Sequence, residues 1–283
     1  VCFGCTFEEL VMKKVFDLID PKELKVTVVL PAYQMMHKLP FTLESLCAQT
    51  HNQLDCILLV KEPIEELHSL VFTWSHQMNL HIYTLQTSSL SRAYNRGVML
   101  ASGDYVQLMS PGDRYLSAHS LSKIVELAVE NFLPDLVYTG TFQSLEDQAP
   151  GLWYRSFDLP HLKKGLAPTK LSACLIKRDC LLEEGKLADY CEEMAQLDWF
   201  CRMKALGSSF VCDEYYSVES QGGKFSASER MRAITQMTKV IYHHFGLAAA
   251  AVSWISQKPL SHFLKSITQR QKAHMGSNIF SLN

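Results

Sequence analysis

Four short apolar runs, each followed by a stretch with helical periodicity, constrain this chain more than any other feature. VTVVL from Val26 precedes a helical segment Thr42 to Gln49, and CILLV, Cys56 to Val60, precedes Ile64 to Gln77. His81 to Leu85 precedes a helix from Leu90, and YVQLM, Tyr105 to Met109, precedes Ser117 to Asn131. Alternation of this kind predicts an α/β fold with a mostly parallel sheet covered by helices. Leu136 to Thr139, after Pro134, reads as a further strand. With 47% apolar residues in 283, the chain has enough apolar surface for a substantial core.

Charge and cysteine usage narrow the partners. A formal net charge of -2 and a pI near 6.6 leave no global basic field, so nucleic acid is not an expected partner. The nine cysteines are odd in number and scattered through predicted strands and helices, which reads as reduced thiols and a cytoplasmic protein. Cys2 and Cys5 have C-x-x-C spacing without a second nearby pair, the pattern of a packed terminal segment more than of a zinc site. His243 and His244 are adjacent and diverge around a helix, while His37, His51 and His161 are isolated, so no histidine is assigned to a metal. The chain begins at Val1 without methionine, as an excised portion of a longer polypeptide would. Its most apolar run, Gly246 to Ile255, is shorter than the ~20 residues a membrane span needs.

Leu90 to Tyr115 is the most informative single segment. Leu90, Ala93, Tyr94, Val98 and Ala101 form one helical face, Ser89 suits the amino cap, and Gly103 suits a left-handed residue past the helix end. The strand Tyr105 to Met109 then runs into Ser110-Pro111-Gly112-Asp113, a turn composition. Asp113 therefore belongs at the carboxyl end of a buried strand, where open α/β sheets bind ligands.

At these residues the chain resembles the family 2 glycosyltransferases, which have a GT-A-type, Rossmann-like fold. Ser91, Asn95, Gly97, Gly103, Asp104, Tyr105, Val106 and Asp113 echo the family pattern S-x-x-R-N-x-G followed by G-[ED]-Y-[IV]-x-x-L-D-x-D-D. VTVVLPAY at Val26 to Tyr33 resembles the opening strand and turn, and Leu197 to Gly207 resembles the aspartate, tryptophan and arginine helix late in the catalytic domain. The resemblance covers about Lys25 to Ser220. It implies an amino-terminal helical extension over 1–24, a GT-A-like domain over 25–225 and a helical carboxyl-terminal region over 226–283.

The resemblance also implies a site. Pro31, Ala32 and Tyr33 would line the base pocket, and Glu62 stands where the family usually has two adjacent acids contacting base and ribose. Arg92, Asn95, Ser110 and Asp113 would meet the rest of the nucleotide sugar. A D-x-D pair would hold Mg2+ or Mn2+, because a hard dication wants oxygen ligands and neutralises the departing diphosphate. Here two of those acids are Ser110 and Gly112, so Asp113 alone makes a weak metal site, and Arg92, Arg96 and Arg114 are candidates for fixed positive charge instead. Ala195-Gln196 occupy the place of the family's catalytic base, which leaves Glu192, Glu193 and Asp198 as substitutes, with Asp198 also spaced to pair with Arg202.

Two functions follow. One is transfer of a sugar from a nucleotide-sugar donor to an unknown acceptor, by an inverting route. The other is a pseudo-glycosyltransferase that keeps the scaffold and binds a ligand or protein. The loop-rich stretch Gln143 to Lys170 would shape the acceptor side. Ser226 and Glu229 have capping-box spacing before a helix to about Phe245. The region Ser226 to His274 is expected to form a subunit or intramolecular interface in preference to peripheral membrane contact, although Phe263, Leu264 and Ile267 make an apolar stripe beside Lys265, Arg270 and Lys272.

Overall fold

A computed structural model of the chain describes residues 20–33, 36–61, 72–87, 89–145, 148–183, 185–191, 194–222 and 226–257. Glu62, Glu192, Glu193 and the Phe263 stripe lie outside the described residues. The apolar runs are strands: β1 (Val26–Pro31), β2 (Leu54–Val60), β3 (Asn79–Thr84) and β4 (Tyr105–Leu108). Every residue of β1, β2 and β4 is buried, whereas β3, at the sheet edge, is largely exposed. All four run parallel in the order β3-β2-β1-β4, with Val29 opposite Ile57 on one side and Leu108 on the other.

Alternate residues of these strands feed two cores. Val29, Ile57, Leu59, Val106 and Leu108 point to one face, with helix α2 (Leu90–Leu100). Val28, Leu30, Leu58 and Val60 point to the other, against α1 (Leu39–Cys47) and α3 (Ser120–Glu130). Complete burial of each such side chain is worth about 1.5–3 kcal/mol. Ser89 caps α2 by accepting from the Arg92 amide. Gly97 lets the helix press on the sheet, since a Cβ there would lie 2.1 Å from Val29 Cγ1. Gly103 is not left-handed as expected; it is small because Thr27 N would be 2.7 Å from its Cβ.

The second half of the sheet is mixed. β8 (Cys174–Lys177) lies antiparallel between β4 and β6 (Leu136–Leu145), followed by β9 (Phe210–Gly222) and the two-residue β5 (Arg114–Tyr115). β7 (Gln148–Trp153) pairs with β6. β1, β2, β3, β4, β6 and β9 run one way and β5, β7 and β8 the other, so the sheet is mostly parallel. The stretch expected as loop is thus partly a hairpin. Pro150 and Gly151 obscure it in sequence, but a strand with one partner tolerates a missing donor.

Three short helices follow: α4 (Leu159–Lys163), α5 (Arg178–Glu183) and α6 (Ala195–Ala205). Of the helix expected over Leu187 to Ala205, the described α-helix is Ala195–Ala205, and Leu187 itself is held through both backbone groups by the Asn95 side chain, at 2.7 and 2.8 Å. Helix α7 (Ala227–Ser256) opens with the expected capping box of Ser226 and Glu229 and kinks at Gly246, where φ is 80°. Its first part packs against α4 and α6 and sends Met237, Val240 and Ile241 into the core, an intramolecular interface. No described helix is long and apolar enough to cross a membrane.

Candidate functional site

β1 and β4 are adjacent and parallel, and the chain leaves them toward opposite sides of the sheet, β1 toward β2 and β4 toward the mixed half. A crevice at the carboxyl ends of two such strands is where α/β sheets take ligands. Pro31 is the last residue of β1, and the Ala32 amide still donates to Leu59 O at 2.7 Å, so the chain departs from the sheet at Tyr33. The Tyr33 hydroxyl is shielded from solvent and has no hydrogen-bond partner among the described residues, and burial pushes its pKa up.

At the end of β4, Ser110 to Asp113 form a tight turn closed by the Asp113 amide donating to Ser110 O at 2.9 Å. Proline at the second position and a glycine with φ of 98° at the third are the type II pattern. The Ser110 amide donates back to Asp113 Oδ2 at 2.9 Å, and the Gly112 amide donates to Thr42 Oγ1 of α1 at 2.8 Å. Tyr94 of α2 donates its hydroxyl to Met109 O, with Ser110 Oγ 2.8 Å away. Gly112, at the position that resembles the second family acid, has a left-handed backbone, which glycine adopts without the cost a side chain meets.

Asp113 is 7% exposed, and the residue facing it is one that no local pattern marked. Lys170, just before a 3-10 turn (Leu171–Ala173), directs its ammonium to Ser220 Oγ of β9 at 2.8 Å. Burial raises the Asp113 pKa, opposed first by the Lys170 charge and, among hydrogen bonds, by that from the Ser110 amide. Burial likewise lowers the Lys170 pKa, and Asp113 opposes that shift. The Lys170 ammonium and the Arg155 guanidinium both lie on the Trp153 ring, 5.8 and 5.6 Å from its centroid. Arg155 Nη1 is buried without a partner among the described residues.

Two of the three arginines expected to provide fixed charge are engaged elsewhere. Arg92 is exposed and donates to Asp189 Oδ2 at 2.7 Å, and Arg114 pairs with Glu219 at 2.6 Å. Arg96 is exposed on α2. Asn95 holds Leu187, as described above.

Asp198 and Gln196 have partners on every side. Asp198 is 2% exposed and accepts from the Tyr190 hydroxyl at 2.6 Å, His244 Nε2 at 2.9 Å and Arg202 Nε at 3.0 Å. Burial alone would raise its pKa; these three partners outweigh burial and hold it below the usual carboxylate value. The Gln196 amide donates to Thr169 O at 2.6 Å and accepts from the Leu171 amide at 3.2 Å. Gln196 therefore grips the backbone on both sides of Lys170.

This donor set does not suit a dication. Among the described residues no three His, Cys, Asp or Glu side chains converge. Asp113 is a single, buried carboxylate that already accepts a backbone amide and faces an ammonium, whereas Mg2+ or Mn2+ needs several oxygen ligands. Clefts of about 350 and 400 Å³ lie elsewhere, beside α3 and at the amino end of β6, the wrong end of the sheet for a ligand of this fold.

The fold has clear counterparts. The structure of S. aureus TarS 1-349 in complex with UDP-GlcNAc superposes with a TM-score of 0.61 at 12% identity, covering 78% of this chain and 68% of that one. The mannosyltransferase PcManGT from Pyrobaculum calidifontis, in complex with GDP-Man and Mn2+, gives 0.58 at 13% identity, covering 95% and 87%. No curated protein matches the sequence. The curled α/β sheet and its helices define a GT-A-type glycosyltransferase fold. Residues 27–166 match the family described as Glycosyl transferase family 2, and the chain is a family 2 glycosyltransferase-like protein.

Proposed function

We propose that the chain binds a nucleotide sugar across the ends of β1 and β4 and transfers the sugar to an acceptor hydroxyl. The observation that carries this reading is the Ser110–Asp113 turn at the switch point, braced by Thr42 and Tyr94, with the Tyr33 hydroxyl, unpartnered among the described residues, at the adjoining strand end. Tyr33 and Glu62 would meet the nucleoside, with Ser110 and Asp113 beside the diphosphate. In the reaction, the acceptor oxygen forms a bond to the anomeric carbon as that carbon's bond to the diphosphate breaks. The electron pair leaves with the nucleoside diphosphate, and the hydroxyl proton passes to a carboxylate, which we assign to Glu193. Asp198 and Gln196 are less suited to that proton, being held by three and two partners.

The pseudo-glycosyltransferase reading has one specific observation in its favour, the use of Gln196 as a backbone clamp where the family has a base. Melting-temperature shifts with UDP-GlcNAc, GDP-Man and dTDP sugars test the binding step, since a ligand bound only by the native state raises the transition. Release of nucleoside diphosphate, read by mass spectrometry for the wild type and Glu193→Gln, tests transfer. Stabilisation without release, even with candidate acceptors, favours the pseudoenzyme; no stabilisation by any donor removes the nucleotide-sugar reading.

A further inference from the structure

A family 2 site with an intact D-x-D motif neutralises the diphosphate with a metal, and this chain has replaced the acids that would hold one. The cations identified from sequence do not fill the gap: Arg92 and Arg114 are each held in a direct ion pair at 2.7 and 2.6 Å, and Arg96 is exposed on α2. We propose that the Lys170 ammonium holds the diphosphate of the nucleotide donor in the place of the divalent metal, with Arg155 as a second donor. The proposal rests on the nucleotide-sugar reading above and names the group that makes it independent of metal.

Position is the first argument. The Lys170 ammonium is bonded to Ser220 near the carboxyl end of β9, and its charge acts on Asp113, the one acid remaining in the turn at the end of β4. An ammonium has three donors, and among the described residues Ser220 takes one of them, which leaves two for phosphate oxygens. The second argument is rigidity. Gln196 bonds the backbone of Thr169 and Leu171, and the Lys170 carbonyl accepts from the Ala173 amide at 2.9 Å. The root of the side chain is therefore fixed before any ligand arrives, the arrangement in which a charge acts without reorganising. The third is the neighbouring guanidinium: Arg155 shares the Trp153 face with Lys170 and leaves Nη1 buried and unpartnered among the described residues. The last is the turn, whose left-handed Gly112 resists return of the second acid.

Calorimetric titration separates these claims. UDP and GDP are titrated, beside uridine and guanosine, into the wild type, Lys170→Met and Lys170→Arg in EDTA and in Mn2+. The wild type should bind one diphosphate about tenfold to a hundredfold more tightly than its nucleoside in EDTA, the ratio a charge-assisted hydrogen bond supplies, with little change on adding Mn2+. Lys170→Met should lose that ratio and Lys170→Arg should restore much of it. The wild-type comparison of EDTA with Mn2+ needs no variant, so it stands even if Lys170→Met folds poorly. Diphosphate binding that requires Mn2+, or that Lys170→Met leaves unchanged, overturns this inference alone. Failure of every nucleotide to bind, with or without Mn2+, overturns it together with the nucleotide-sugar reading.

Discussion

Replacing Asp198 by asparagine tests whether this aspartate is a structural tie. The carboxylate joins three elements: Tyr190 before α6, Arg202 within α6 and His244 of α7. Asparagine keeps the shape and one carbonyl, which can still accept from Tyr190 and His244. It sets an amide donor against the Arg202 Nε donor, 3.0 Å away, and removes the charge. Loss of one partner from a buried pair costs about 3–5 kcal/mol. The lower end applies here, because Arg202 is 27% exposed and its Nη2 keeps the Lys186 carbonyl at 2.6 Å. At roughly 2 °C per kcal/mol for a chain of this size, the Tm should fall by about 6 °C, and limited proteolysis should cut near Gly246 sooner. Because the folded pKa is depressed, the contribution is complete above the unfolded value of 3.8 and is lost as pH falls through the folded value. Wild type and variant should therefore converge in stability below that pH. An unchanged Tm with lost activity would refute the structural assignment and make Asp198 a group that acts on substrate.

Three further substitutions have signed outcomes. Gln196→Ala should lower stability by about 1–3 kcal/mol in urea titration, since Thr169 O and the Leu171 amide lose their partner, and should weaken diphosphate binding through Lys170 in the same sample. Gly112→Asp should not create Mn2+ binding by calorimetry and should cost about 1–2 kcal/mol, because the added side chain must adopt positive φ. Tyr33→Phe should stabilise the free protein by removing an unpartnered buried hydroxyl, an effect of about 1–3 kcal/mol, while weakening nucleotide binding; a loss of stability would mean that the hydroxyl has a partner in the free protein.

The elements legible in sequence were those whose signal is local. β1, β2 and β4 announced themselves as predominantly apolar runs, α2 by its stripe and Ser89 cap, and the Asp113 turn by proline and glycine. β5 has two residues, too few for periodicity, and Pro150 with Gly151 disguised β7. The site divides in the same way. Asp198 with Arg202 follows helical spacing, but His244 is 46 residues further on. Lys170 and Ser220 stand 50 residues apart, and no local pattern marks either. Gln196 looked like a loss in sequence, and its clamp on Thr169 and Leu171 became visible only when the chain was folded.

The place of β5 has a consequence for how the protein is made. It follows β4 after one tight turn, yet in the sheet order β8, β6 and β9 lie between them. On a flat sheet that is four strand spacings, about 19 Å, whereas a β-turn brings its ends within about 7 Å, so the sheet must curl back toward itself at Ser110–Asp113. The seam is closed by Arg114 and Glu219, 105 residues apart in the chain. Loop closure over such a distance delays the contact until β9 has emerged from the ribosome. A growing chain can therefore assemble the parallel half early, but the crevice stays open along one side until more than two hundred residues exist, and capture of a ligand there reports that synthesis of β9 is complete.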